Sequence, residues 1–176
     1  MANYNKIQSR LLSLVPDSAA RLVSNGSVGL KVRQAGPSYA WTSWNPDDGK
    51  FEVNFRADVK DMRDDQLTFL WYHELGHIAL GHFTRDHCER MDWLVAADIS
   101  VNWALRDRKA LINELDGVDA EAWLPEIGLG LKTYPLFLIH DILHEKIDEH
   151  AENCPGCGGG GEDSEHEMPG EGDACG

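Results

Sequence analysis

The sequence predicts an α+β domain, and three observations predict it. Phe51-Glu52-Val53-Asn54-Phe55 alternates apolar and polar residues with period two, as a half-buried strand does. Over residues 64–84, Leu67, Leu70, His73/Glu74, His77 and Leu80 recur every three or four positions, which is one face of a long helix. Over about 89–107, Leu94, Ala97, Asp98, Val101 and Leu105 do the same. A small hairpin or sheet packed on two antiparallel helices is the economical arrangement.

The remaining elements follow in order. Residues 5–24 carry a helical apolar rhythm interrupted by Pro16, so they predict two short helices or one broken one. Asn25-Gly26 is a turn signal, and Val28–Val32 reads as a short strand. Trp41, Thr42 and Trp44 precede the turn Asn45-Pro46-Asp47-Asp48-Gly49, which makes a hairpin with 51–55. Asp64 or Asp65 is expected to cap the first long helix. A polar turn spans Asp86 to Glu89. Pro125, Gly128 and Gly130 predict a loop, and a last helix runs from about Leu136 to Ile147. Residues 1–150 are thus read as one domain. Residues 151–176 are glycine-rich and nearly devoid of apolar side chains, so they are expected to form a disordered acidic tail.

The formal net charge is −14, and seven of the acidic side chains lie in 151–176, where there is no Lys or Arg. Phosphate contacts need clustered cations, so this balance argues against a nucleic-acid or anionic-membrane partner. No window reaches the eighteen or so apolar residues of a membrane span. The N-terminus lacks a signal peptide's apolar core. A cytoplasmic protein is expected, with Cys88, Cys154, Cys157 and Cys175 reduced.

His73-Glu74-Leu75-Gly76-His77 is an H-E-x-x-H motif in the middle of a helix. The four-residue step puts both imidazoles on one face, one turn apart, where they can bind one Zn²⁺. Glu74 lies beside them but on a different line. It can stay out of the coordination sphere and take a proton from zinc-activated water. Two histidines and a glutamate inside an apolar stripe need partners, and a metal supplies them.

A catalytic zinc takes a third protein ligand. A third His six residues after His77 is excluded, because position 83 is Phe. His82 is five residues on, about 140° round an ideal helix, and is expected to point away from the metal. Asp98 fits better. From His77 to about Arg85 a helix climbs roughly 12 Å. After a turn, about nine residues of antiparallel helix descend as far. That returns Asp98 to the level of His77. Asn102, one turn later, is expected to support the site or make a structural hydrogen bond.

These residues resemble a known family. HELGHIALGHFTR followed by WLVAADISVNWAL is similar to the metallopeptidase domain often found upstream of von Willebrand factor A-like domains. The matching positions are His73, Glu74, His77, Gly81, His82, Arg85, Trp93, Ala96 or Ala97, Asp98 and Asn102. The strand Phe51–Phe55 after Asn45-Pro46, and Leu124-Pro125 before a last helix, extend the likeness over roughly 40–147. The resemblance implies a zincin-like fold with Asp98 as third ligand, and a peptide or protein substrate. A stand-alone chain is expected, with the glycine-rich acidic tail in the place of an A domain. Stand-alone chains of this kind look phage-encoded or carried on mobile elements.

Other signals carry less. His140-Asp141-Ile142-Leu143-His144 repeats the H-[acid]-x-x-H spacing, but no third ligand follows it, and a partly exposed polar face is expected. Cys154-Pro155-Gly156-Cys157 is half of a zinc ribbon that Cys175, His150 or His166 would have to complete. Cys88 beside His87 is not expected to form a nucleophile pair, and the six tryptophans read as packing residues. Peptide-bond hydrolysis is the leading expectation, with Glu74 as general base. The alternatives are a non-catalytic, metal-stabilised binding or virion-associated module, and a DNA-linked protease of the SprT type. The acidic tail and the Asp98 spacing disfavour the last.

Overall fold

A computed structural model describes residues 4–83 and 91–153, without the side chains of 148–153. The expected turn at Asp86–Glu89, Arg85, the His87/Cys88 pair and the cysteines of the tail lie outside the described residues. So does the side chain of His150.

The fold is mixed α+β, with seven α-helices and one three-stranded sheet among the described residues. Helices α1 (Tyr4–Ser13) and α2 (Asp17–Ser24) break at Pro16, as its missing N–H requires. Strand β1 (Val28–Arg33) follows, then β2 (Ala40–Asn45) and β3 (Lys50–Arg56). The sheet order is β1-β3-β2. β3 pairs antiparallel with β2 through the expected hairpin and parallel with β1, so β2 is an edge strand. The expected strand forms, and Val53 and Phe55 of β3 are fully buried, but it is not half-buried. Glu52 and Asn54 are buried too, because β3 is the central strand and its polar side chains are held by neighbours on both sides. Val53 and Phe55 pack with Leu11, Val59, Leu67 and Trp71 in one core cluster. The Trp71 indole donates to the Leu11 carbonyl at 3.0 Å and ties α1 to the next helix.

That helix, α3, spans Asp64–Ala79. Its N-cap is Arg63 rather than an aspartate, and the Gln66 side chain accepts from the Arg63 N–H at 3.0 Å. It ends five residues before the expected position 84. Leu80 caps it and Gly81 turns into the left-handed region at φ 71°, a conformation that suits glycine at a helix stop. Leu80 is therefore half exposed rather than part of the apolar stripe.

Helix α4 (Met91–Ala104) buries Trp93, Ala96, Ala97, Ile99, Val101 and Trp103. Leu94, expected on the buried face, is instead exposed. Short α5 (Lys109–Glu114) and α6 (Ala120–Glu126) follow, and α6 takes in Pro125, which was expected in a loop. The Asp119 carboxylate caps α6 by accepting from the N–H groups of Glu121 and Ala122, and Pro125 sits at its far end. Helix α7 (Leu136–Asn153) runs past the expected end at Ile147. Ile139 and Leu143 of α7 pack on Ile99, Trp103 and Leu124 in a second core cluster. No helix among the described residues is long and apolar enough to cross a membrane.

The two clusters meet where α3 packs on α4, and a glycine makes that approach close. A Cβ built on Gly76 would lie 2.9 Å from a Val101 methyl, closer than real contacts allow. Gly76→Val should therefore push α4 away. We expect about 1–3 kcal/mol of lost stability from overpacking, and, because Asp98 lies one turn from Val101, weaker binding of any metal that Asp98 helps to hold. Thermal melting and a zinc titration check both. Unchanged zinc affinity in a destabilised variant would show that the helices part without moving Asp98.

Candidate metal centre

The i, i+4 spacing places His73 and His77 one turn apart on α3, facing α4. Their Nε2 atoms are 3.1 Å apart. Asp98 Oδ1 lies 3.2 Å from His77 Nε2 and 3.5 Å from His73 Nε2. Three donors from two helices thus converge. Contacts further along the pair show the helices run antiparallel: the Trp93 indole reaches the His82 carbonyl, and Asn102 reaches His73.

A tetrahedral ion with bonds of about 2.0–2.1 Å sets its donors roughly 3.3–3.4 Å apart. The three observed separations straddle that value. The chemistry of the set agrees. Two imidazole nitrogens facing each other at 3.1 Å need a proton or a cation between them. Among the described residues, His73, His77 and Asp98 are the only three such donors within 4.8 Å of one another. The group could hold a metal ion.

Each histidine has a partner on its other nitrogen. His73 Nδ1 is 3.0 Å from Asn102 Oδ1, and the Asn102 amide donates to the Val118 carbonyl at 2.9 Å. Asn102 thus makes both of the contacts the sequence left open, one to His73 and one a structural hydrogen bond to the backbone. His77 Nδ1 is 3.0 Å from His82 Nδ1. This corrects the expectation that His82 points away. The 140° offset assumed a helix continuing through position 82, but the chain turns at Gly81 and brings the buried imidazole back. It meets the outer nitrogen of His77, not the converging donors. A glycine just before a histidine at a helix end was the available signal.

Glu74 is 5% exposed, on the sheet side of α3. The buried Thr42 hydroxyl of β2 donates to Glu74 Oε2 at 2.9 Å and lies 3.3 Å from the Glu74 carbonyl oxygen. Glu74 and Thr42 line the same cleft as the three donors, with a volume of about 350 Å³. Tyr39, Trp41, Phe69 and Phe83 supply apolar wall. No sequence pattern pointed to Thr42; strand and helix are joined only by the fold.

The second H-[acid]-x-x-H stretch is arranged differently. The expected partly exposed polar face is present, with His140 buried, Asp141 exposed and His144 partly so. Asp92 Oδ2 of α4 lies 3.5 Å from His140 Nε2 and 3.1 Å from His144 Nδ1. The two rings stack with centroids 5.9 Å apart, and these donors do not converge as the first three do.

Charge coupling at the first site is strong. For His73, burial opposes the charged form, but the Asp98 carboxylate outweighs it and raises the pKa to about 9. For Asp98, burial works upward, yet His73 and His77 hold its carboxyl well below the usual range. Burial, with His77 and His73 beside it, lowers His82 to about 4.

In the metal-free chain, the His73 contribution to stability is complete below its unfolded pKa of about 6.5. It is lost as pH rises through about 9. The Asp98 contribution is complete above its unfolded pKa of about 3.9 and is lost as pH falls through its depressed value. The pair therefore stabilises most between about pH 4 and 6.5. At pH 7 His73 still carries a proton that an incoming ion must displace. Zinc uptake is expected to release about one proton there, and fewer as pH passes 9. Calorimetry in buffers of different ionisation enthalpy reads that number; uptake at pH 7 with no proton release would contradict the coupling.

No family model, curated protein or solved structure matches this chain.

Proposed function

We propose that the chain is a zinc-dependent metallopeptidase with a zincin-like fold, of the kind its motif resembles, and that Glu74 is its general base. One observation carries the reading. Three donors at tetrahedral spacing share a cleft with a buried carboxylate that lies outside the donor set. A purely structural site needs the three donors but has no use for Glu74.

His73, His77 and Asp98 would hold the ion, leaving one position open, as catalytic zinc sites do. Bound zinc supplies Lewis acidity, which brings the pKa of water to about 7 and polarises a carbonyl. The protein's own groups do the rest. Glu74 accepts the proton of the attacking water and returns it to the leaving amine. Thr42 holds Oε2 of that carboxylate, which leaves Oε1 to take the proton. Asn102 keeps the His73 ring oriented. β2 is an edge strand, and Ala40, Trp41 and Thr42 line the cleft, so an extended peptide can add to it through main-chain hydrogen bonds.

Digestion of casein and of a peptide library by zinc-loaded protein tests the proposal. Cleavage should disappear with a chelator and return with zinc. A loaded protein that cleaves nothing would remove the peptidase reading and favour a metal-stabilised binding module.

A further inference from the structure

We infer that His82 is a positioning residue: it accepts a hydrogen bond from His77 and so fixes the tautomer whose Nε2 lone pair faces His73 and Asp98. The inference rests on the metal-site reading above and adds a residue to it.

The argument is one of proton counting. Two imidazole nitrogens 3.0 Å apart share a single proton. If His77 binds an ion through Nε2, its Nδ1 must carry hydrogen. His82 Nδ1 is then bare, and its own proton sits on Nε2. The other imidazole of the pair is held by the same device. The Asn102 amide nitrogen is committed to the Val118 carbonyl, so its oxygen faces His73 Nδ1 as an acceptor.

The placement of His82 is built into the fold rather than left to a rotamer. Its backbone N–H donates to the His77 carbonyl at 3.0 Å. Its own carbonyl accepts from the buried Trp93 indole at 3.1 Å. Gly81 supplies the left-handed turn between. The residue is 5% exposed, and its ring meets that of His77 edge-on, with centroids 5.1 Å apart. Carboxylates and carbonyls commonly fill this role beside metal-binding histidines. A neutral imidazole does it here without adding negative charge beside Asp98 and Glu74.

Two measurements on the full chain test this. In zinc-loaded protein with ¹⁵N-labelled histidine, long-range ¹H–¹⁵N correlations should show His82 protonated on Nε2 and bare on Nδ1. A ¹⁵N–¹⁵N coupling to His77 Nδ1 should cross the hydrogen bond. His82 protonated on Nδ1 would overturn the inference. In zinc competition, His82→Phe should bind about 10–100-fold more weakly. His82→Gln, whose amide oxygen can accept, should recover part of that loss. Melting of the chelated variants separates loss of metal from loss of fold. His82→Phe binding as tightly as wild type would also overturn the inference. If His82→Phe does not fold, the wild-type tautomer decides alone. A chain that takes up no zinc sinks both readings, whereas zinc taken up with the wrong tautomer sinks only this one.

Discussion

Glu74→Gln is expected to retain zinc and fold while losing peptidase activity by about 10²–10⁴-fold, the usual worth of general acid–base assistance. Glutamine is nearly isosteric and Glu74 lies outside the three converging donors, so the donor set is untouched. The Thr42 hydroxyl can still donate to an amide oxygen, which keeps the buried side chain satisfied. What disappears is the carboxylate that accepts the water's proton. Elemental analysis and a melting curve are the controls, because loss of zinc would make loss of activity uninformative. A variant that keeps zinc and cleaves as fast as wild type would end the catalytic role of Glu74. The metal-stabilised module would then be the better description.

Asp98→Ala should have the largest effect on the metal itself. It removes one of three protein donors and the only carboxylate among them. Zinc affinity is expected to fall by more than about 100-fold, beyond the 10–100-fold typical of residues that only support ligands. Asp98 also does most to keep His73 charged in metal-free protein. The same substitution should therefore shrink the proton release seen on zinc uptake at pH 7. His82→Ala should rank below it, because His82 touches the outer nitrogen of His77 and none of the converging donors. The reverse ranking in a competition titration would mean that the ligand set is wrongly chosen. Equal affinities in wild type and Asp98→Ala would exclude Asp98 as a ligand.

What could be read from the sequence was local or could be counted along helices. The i, i+4 histidines share a face wherever a helix forms, so His73 and His77 were legible from spacing alone. Asp98 was picked by counting a rise of about 1.5 Å per residue along an antiparallel helix pair. That count assumed a first helix reaching about Arg85, and α3 ends at Ala79, so the choice of residue agrees with the geometry while the assumed path does not. The break at Pro16, the hairpin and the existence of β3 followed from the missing N–H, the turn residues and the period-two pattern; the burial of Glu52 and Asn54 did not. The tertiary structure decided what depended on where helices stop and which elements meet. Leu80-Gly81 ends α3, and that stop swings His82 from the far side of an ideal helix onto His77. The sheet order places β2 at the edge beside α3, so Thr42 reaches a carboxylate 32 residues away. Gly76 matters because Val101 packs against it, a contact invisible until the two helices are brought together. Helical spacing depends on bond geometry common to every chain. Helix ends and strand neighbours depend on which alternative buries more apolar surface with its polar groups satisfied, and that is settled only by the whole molecule.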